Sequence, residues 1–294
     1  VFPNIKAFGN CHEVFHVQDI LKRALKEETG IEASRQEISI NPIGINHFTW
    51  INYASYKDID LMPIYEKFAK KYQKEGIAGD DWVNYYPFGS AERVKLDLFL
   101  KYGVIAAAGD RHLVEFLPHH WYTKDVETIK HWRYFLTPVS HRKNIKSNGN
   151  LSALNIIKGS EKLKIHPSGE EGIMQIKAIL GLSPLVTNVN MPNRGQISNL
   201  PLGHVVETNA VFRKDDVRPI HAGNMPDFPH QMTLRHVKNH QLLIKAFDEK
   251  DLSYARLALK MDPSVEHLDH QIIDQMFDEI IEKIKPYVTY YHKV

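Results

Sequence analysis

Four strand-like runs fall into two widely separated pairs with helical sequence between and beyond them, and this spacing constrains the chain more than any other feature. Glu37 to Ile43 and His47 to Tyr53 alternate apolar and polar residues around Gly44. Leu185 to Met191 and Val205 to Phe212 flank an irregular Pro192-Asn193-Arg194-Gly195-Gln196 turn. Helical spacing links Phe15, Val17, Ile20, Leu21, Ala24 and Leu25, and Gly30 ends that run. Further helices are predicted over about 58–75, 91–102 (with Gly103 as its stop), 169–182, 229–247, 251–261 and 267–285. Between Ser140 and Ser168 the pattern fades, and the stretch reads as an exposed excursion with a helical turn or two and little chemistry. Strands in the middle and helices at both ends predict an α+β fold, a mixed antiparallel sheet packed with helices. No regular strand–helix alternation covers the chain, and Gly89-Ser90 lacks the G-x-G-x-x-G spacing of a dinucleotide cradle.

Charge narrows the partners. The 37 Lys and Arg against 35 Asp and Glu leave a formal net charge of +2 with no block of like charges, so no nucleic acid or membrane surface is expected as a partner. No apolar run approaches the roughly 18 residues of a membrane span. A single Cys allows no internal disulfide and favours a reducing, cytoplasmic setting. Val1 to Asn10 reads as the tail of a loop and a short strand, the interior of a fold that begins upstream.

Four short stretches carry groups capable of chemistry. Cys11-His12-Glu13-Val14 sits at a strand-to-helix junction, where a helix N-terminus favours a thiolate that is nucleophile or soft metal ligand; a small buried residue is the plainer alternative. Gly44-Ile45-Asn46-His47-Phe48-Thr49-Trp50 sets a polar Asn-His pair in an apolar strand, and a core histidine would explain it too. One thiolate and one imidazole leave several positions open on a metal, which suits substrate oxygens better than a closed zinc site does. Gly109-Asp110-Arg111-His112 follows an apolar strand, and Asp110 beside Arg111 could stay ionised and act as a base, unless the run is a solvated turn. Asn188 to Pro201 offers amides and Arg194 for sugar hydroxyls or a carboxylate, while a turn rich in side-chain-to-backbone bonds accounts for the asparagines equally well.

Taken together, and with Val206-Glu207 following the last, these motifs resemble glycoside hydrolase family 4 in order and spacing over nearly the whole chain. That family is the NAD-dependent exception to the two-carboxylate glycosidases. The resemblance implies a C-terminal catalytic domain of the lactate/malate dehydrogenase-like architecture, with residues 1–10 the last strand of a missing Rossmann domain and 11–294 the metal- and substrate-binding domain. It implies NAD and Mn2+ as cofactors, with Cys11 and His47 at the metal ligand positions. The implied reaction oxidises the sugar at C3, removes the C2 proton, expels the glycosidic oxygen, adds water and reduces C3 again. His12 stands at the position of the acid and Asp110 at that of a C2 base in one branch, with Asn46, Arg111 and Asn193 placing the sugar. The Cys-His-Glu-Val form resembles the α-galacturonidase branch, whose substrate carboxylate would meet Arg111 or Arg194. A neutral-sugar α-glucosidase or α-galactosidase and a malate/lactate-type dehydrogenase stand as alternatives. The resemblance further implies a small carbohydrate substrate, a homodimer or homotetramer, and no activity in these 294 residues by themselves.

Overall fold

The computed structural model describes residues 7–165 and 171–291. Its seven strands are β1 (Ile38–Ile45), β2 (Phe48–Tyr56), β3 (Ile59–Asp60), β4 (Ile105–Ala106), β5 (Leu185–Pro192), β6 (Val205–Arg213) and β7 (Asp216–Pro219). They form one sheet in the order β3-β2-β1-β6-β5, with β4 beside β2 and β7 beside β6, and every strand pairing among the described residues is antiparallel. The two predicted hairpins therefore meet, β1 against β6, at Ile43↔Thr208 and Gly44↔Glu207.

Helices pack on both faces. Before and among the first strands lie α1 (Glu13–Thr29), α2 (Met62–Tyr72), α3 (Arg93–Tyr102), α4 (Asp110–Leu113), α5 (His119–Tyr122) and α6 (Val126–Trp132). Then follow α7 (Val139–Ile157), α8 (Gly172–Ile179), α9 (Asp227–Glu249), α10 (Ser253–Lys260) and α11 (His270–Ile284). One face of the sheet buries Ile38, Ile51 and Ala54 against Val17, Leu21 and Leu25 of α1, Tyr65 and Phe68 of α2 and Leu96 of α3. The other buries Ile43, Ile45, Phe48 and Trp50 with Val206, Leu113 and Val237 of α9. Burying Leu or Phe side chains in this way contributes about 1.5–3 kcal/mol each.

Ile51 and Ala54 share a face although they are three apart, because the register shifts between Ile40↔Ala54 and Pro42↔Ile51. The extra residue on β2 is a bulge that Asn41 closes by donating from Nδ2 to Asn52 Oδ1 at 2.8 Å. Pro42, which has no amide to give the ladder, sits at that interruption.

Two sequence expectations need correction. Gly44 is not the turn of the first hairpin. It lies inside β1, paired to Thr49 on one side and Glu207 on the other, and the turn is Asn46-His47. Glycine is needed there because a Cβ would stand 2.5 Å from the Phe48 carbonyl oxygen. The 140–168 stretch contains a 19-residue helix, α7, rather than a turn or two. None of its residues is buried, so no apolar face exists for periodicity to reveal. Of the expected N-terminal strand, residues 1–6 lie outside the described residues, and Gly9 makes a single antiparallel bridge to Asn190.

Candidate active site

The first and third motifs meet on one cleft of about 420 Å³ whose walls include His12, Glu13, His16, Phe88, Ser90, Glu92, Asp110, Arg111 and His112. The joint is Glu13, in the first turn of α1. Its Oε2 accepts the Gly109 amide at 2.8 Å, and its Oε1 stands 3.8 Å from His112 Nε2. A residue 96 positions away in sequence thus fixes the Gly109-Asp110-Arg111-His112 loop against the Cys11 end of the helix. His12 is the exposed N-cap of α1, and its carbonyl accepts the Phe15 amide at 2.9 Å.

The first hairpin delivers its turn to the same place. His47 stacks on His112 with ring centroids 4.4 Å apart, and it is half-buried. Burial first, and the neighbouring His112 second, push its pKa down, so the imidazole is held neutral with a lone pair to offer. Asn46 is exposed beside it.

Cys11 is buried, and its backbone is tied to that hairpin through three polar side chains. Asn188 Nδ2 donates to the Cys11 carbonyl at 3.1 Å and to Glu207 Oε1 at 2.7 Å, and the other oxygen of Glu207 bonds the Thr49 hydroxyl. Thr49 also contacts the Ile45 carbonyl at 3.0 Å. A hydroxyl has one proton, so both Thr49 contacts are satisfied only if Glu207 carries a proton of its own. Burial pushes the Glu207 pKa up in that direction. Among the described residues no group of three or more His, Cys, Asp and Glu side chains is placed to hold a metal ion. A metal held by Cys11 and the neutral His47 would therefore complete its shell with oxygens from outside the protein. By chemical type, one thiol and one imidazole suit such an open site rather than a closed cage.

Asp110 lies on the wall but is fully buried. Its oxygens accept the Val94 and Lys95 amides at 2.9 and 3.0 Å and the Ser90 hydroxyl at 3.1 Å, which sets the carboxyl at the N-terminus of α3. Burial, then the Glu92 carboxylate, push its pKa up to about 7. Glu92 goes the other way, to about 2: the Lys95 ammonium, 2.5 Å away with a wholly buried side chain, and His16 outweigh its desolvation. Of the two carboxyls, Asp110 is therefore the one that takes up a proton first as the pH falls.

Arg111 donates from Nη1 to Thr137 Oγ1 at 2.6 Å and lies over the Phe88 ring. The fourth motif sits elsewhere. Asn193 is buried, donating to the carbonyls of Ile197, Leu200 and Pro201 and accepting the amides of Gly195 and Ile197, so its side chain organises its own loop. Arg194, next to it, is exposed and does not line the cleft. Glu13 and His112 fall within motifs that the sequence marks out but were given no role of their own, and Glu92 and Lys95 fall outside every motif and carry no local signal.

The description "Family 4 glycosyl hydrolase C-terminal domain" matches residues 42–265. An α-galacturonidase of Thermoanaerobacterium saccharolyticum is 49% identical over 98% of this chain and 62% of its own length. A solved Bacillus subtilis structure, LplD, described as a glucosidase, is 42% identical and superposes with a TM-score of 0.86 over 95% of this chain and 64% of its own. A 6-phospho-α-glucosidase from gut microorganisms, solved with NAD and Mn2+, is 17% identical with a TM-score of 0.70, covering 98% and 62%, and shares the fold. The chain thus spans about three fifths of the length of the relatives it matches.

Proposed function

The chain belongs to glycosyl hydrolase family 4, matching its C-terminal domain, and from that premise we propose that it forms the metal- and sugar-binding part of an α-galacturonidase. The observation that carries this reading is that the His12-Glu13 turn and the Gly109–His112 loop share one cleft, with the His47 ring stacked on His112 beside it. Cys11 and His47 would hold a divalent cation, manganese by family, and when bound it would supply Lewis acidity toward the sugar's C2 and C3 oxygens. NAD would accept the C3 hydride; we place its binding outside the described residues, since no parallel strand–glycine turn–helix unit occurs among them.

The chain's own residues take the remaining work. His12, at the mouth of the cleft, gives the leaving group its proton. Asp110, poised near neutrality, is the group to receive the C2 proton, and burial with Glu92 alongside keeps it basic enough. Glu13 holds that loop to the metal end of α1. Asn46 and Arg111 orient the sugar, whereas Asn193, bonded within its own loop, has no contact with it.

The test uses the enzyme expressed from its complete reading frame, supplied with NAD and Mn2+. It is expected to turn over 4-nitrophenyl α-galacturonide in preference to the α-galactoside. Cys11→Ser should lose bound manganese by elemental analysis together with activity. Full turnover after chelation and in that variant would end the reading, and preference for the neutral galactoside would replace its substrate. The 294 residues alone are expected to show no turnover.

A further inference from the structure

A second arginine stands beside Arg111, and it comes from the helix that sequence patterning did not resolve. Arg142, in the first turn of α7, places its guanidinium carbon 5.6 Å from the centre of the Phe88 ring, while that of Arg111 lies 4.6 Å from the same centre. Two like charges are thereby held against one aromatic ring. Neither guanidinium is ion-paired among the described residues: Glu13 is committed to the Gly109 amide, and Glu115 faces His112 at 3.9 Å. Burial first and the Arg142 charge second lower the proton affinity of Arg111, and the Glu13 and Glu115 carboxylates offset this only in part. Thr137 accepts from one arm of Arg111 and leaves the rest of its fork free.

The pair also sits at a boundary. Arg111 lines the catalytic cleft and, with His112, Glu115, Leu136, Thr137 and Arg142, an adjoining smaller one of about 220 Å³. An anionic substituent on a sugar bound in the main cleft would enter the smaller one beside the two guanidiniums.

We propose that Arg111 and Arg142 together form the receptor for the C6 carboxylate of the substrate, with Phe88 as platform and Thr137 as anchor, and that this pair selects a uronate over the corresponding neutral sugar. The inference rests on the galacturonidase reading and adds to it the residue that sets specificity. Arg194 is then not the carboxylate partner, because it lines neither cleft. A planar carboxylate can take two parallel N–H bonds from one fork and charge from the other, a geometry that lysine cannot copy.

The experiment compares wild type, Arg142→Gln and Arg142→Lys in the complete enzyme on 4-nitrophenyl α-galacturonide and α-galactoside, with free galacturonate, galactose and galactose 6-phosphate as competitors. Because α7 buries none of its residues, these variants should keep the wild-type melting temperature. Arg142→Gln is expected to raise KM for the galacturonide and Ki for galacturonate roughly 10- to 100-fold, the size of one lost charge-assisted contact, with kcat little changed. Its constants for the galactoside and galactose should not move, and lysine should restore only part of the loss. Equal changes for charged and neutral ligands, no change at all, or tighter wild-type binding of the 6-phosphate than of galacturonate would overturn the proposal. A wild-type enzyme that binds galacturonate but does not hydrolyse the galacturonide would defeat the functional reading and leave the receptor standing.

Discussion

The helix α1 starts at the main cleft and α7 at the smaller one that adjoins it, yet the two are held there in opposite ways. Seven of the 17 residues of α1 are buried, Val14, Phe15, Val17, Ile20, Leu21, Ala24 and Leu25, and its first turn presents His12 and Glu13. None of the 19 residues of α7 is buried; Ile145, Leu151, Leu154 and Ile157 are exposed, and the arginine it contributes rests on a single phenyl ring. A helix clamped along its length by a core places its terminus to within a fraction of an ångström. A helix without such a clamp can adjust. The contrast assigns geometry-critical chemistry to α1 and electrostatic recognition, which tolerates small displacements, to α7.

The largest expected effect strikes the clamped helix. Leu21→Ala should cost about 2–5 kcal/mol in denaturant unfolding, since the side chain is fully buried among α1, α2 and the sheet. A loss under about 1 kcal/mol would mean that α1 is no better anchored than α7, and the comparison would fail.

Next in size is a pH dependence confined to the α1 half, where Asp110 is buried with Glu92, Lys95 and the Tyr65 hydroxyl around it. The folded pKa of Asp110, about 7, lies above that of an unfolded Asp, so its contribution is fully present in acid and is lost as the pH rises from about 4 toward 7. The slope is at most about 1.4 kcal/mol per pH unit. Glu92, shifted the other way to about 2, loses its contribution only below about 4.5, outside most of that window. Asp110→Asn should therefore flatten the fall of melting temperature between pH 5 and 7; an unchanged slope would place the proton elsewhere.

The smallest effect is expected on α7. Leu154→Ser should change the stability of these 294 residues by no more than about 0.5 kcal/mol, because the side chain is half exposed and touches no core. A concentration-dependent loss larger than that would show that a second copy, or more of the enzyme, covers the helix, and the contrast would then hold only for the isolated chain.

How much of this was legible in sequence follows the same division. The spacing of Val17, Leu21 and Leu25 and the left-handed Gly30 and Gly103 that close α1 and α3 were all readable, because local periodicity and backbone freedom decide them. α7 was not, since a helix with no buried side leaves no periodic trace. Gly44 looked like a turn because glycine usually marks one, whereas here the constraint is the approach of the Phe48 carbonyl across the ladder. Cys11, His47 and the Gly109–His112 loop were singled out one by one, and their meeting depends on Glu13 reaching the Gly109 amide, a contact no local pattern encodes. Asp110 was expected to answer to its neighbour Arg111; in the fold it answers to the amides of Val94 and Lys95, which belong to another helix.

The strand crossing at Gly44 limits how the site can drift. With Thr49 on one side, Glu207 on the other and no room for a methyl group, the hairpin tip has a fixed distance from the sheet, and the imidazole on it inherits that distance. Evolution or an engineer wishing to shift that imidazole would have to lengthen the two-residue turn itself, since the strands leading to it have no slack to give.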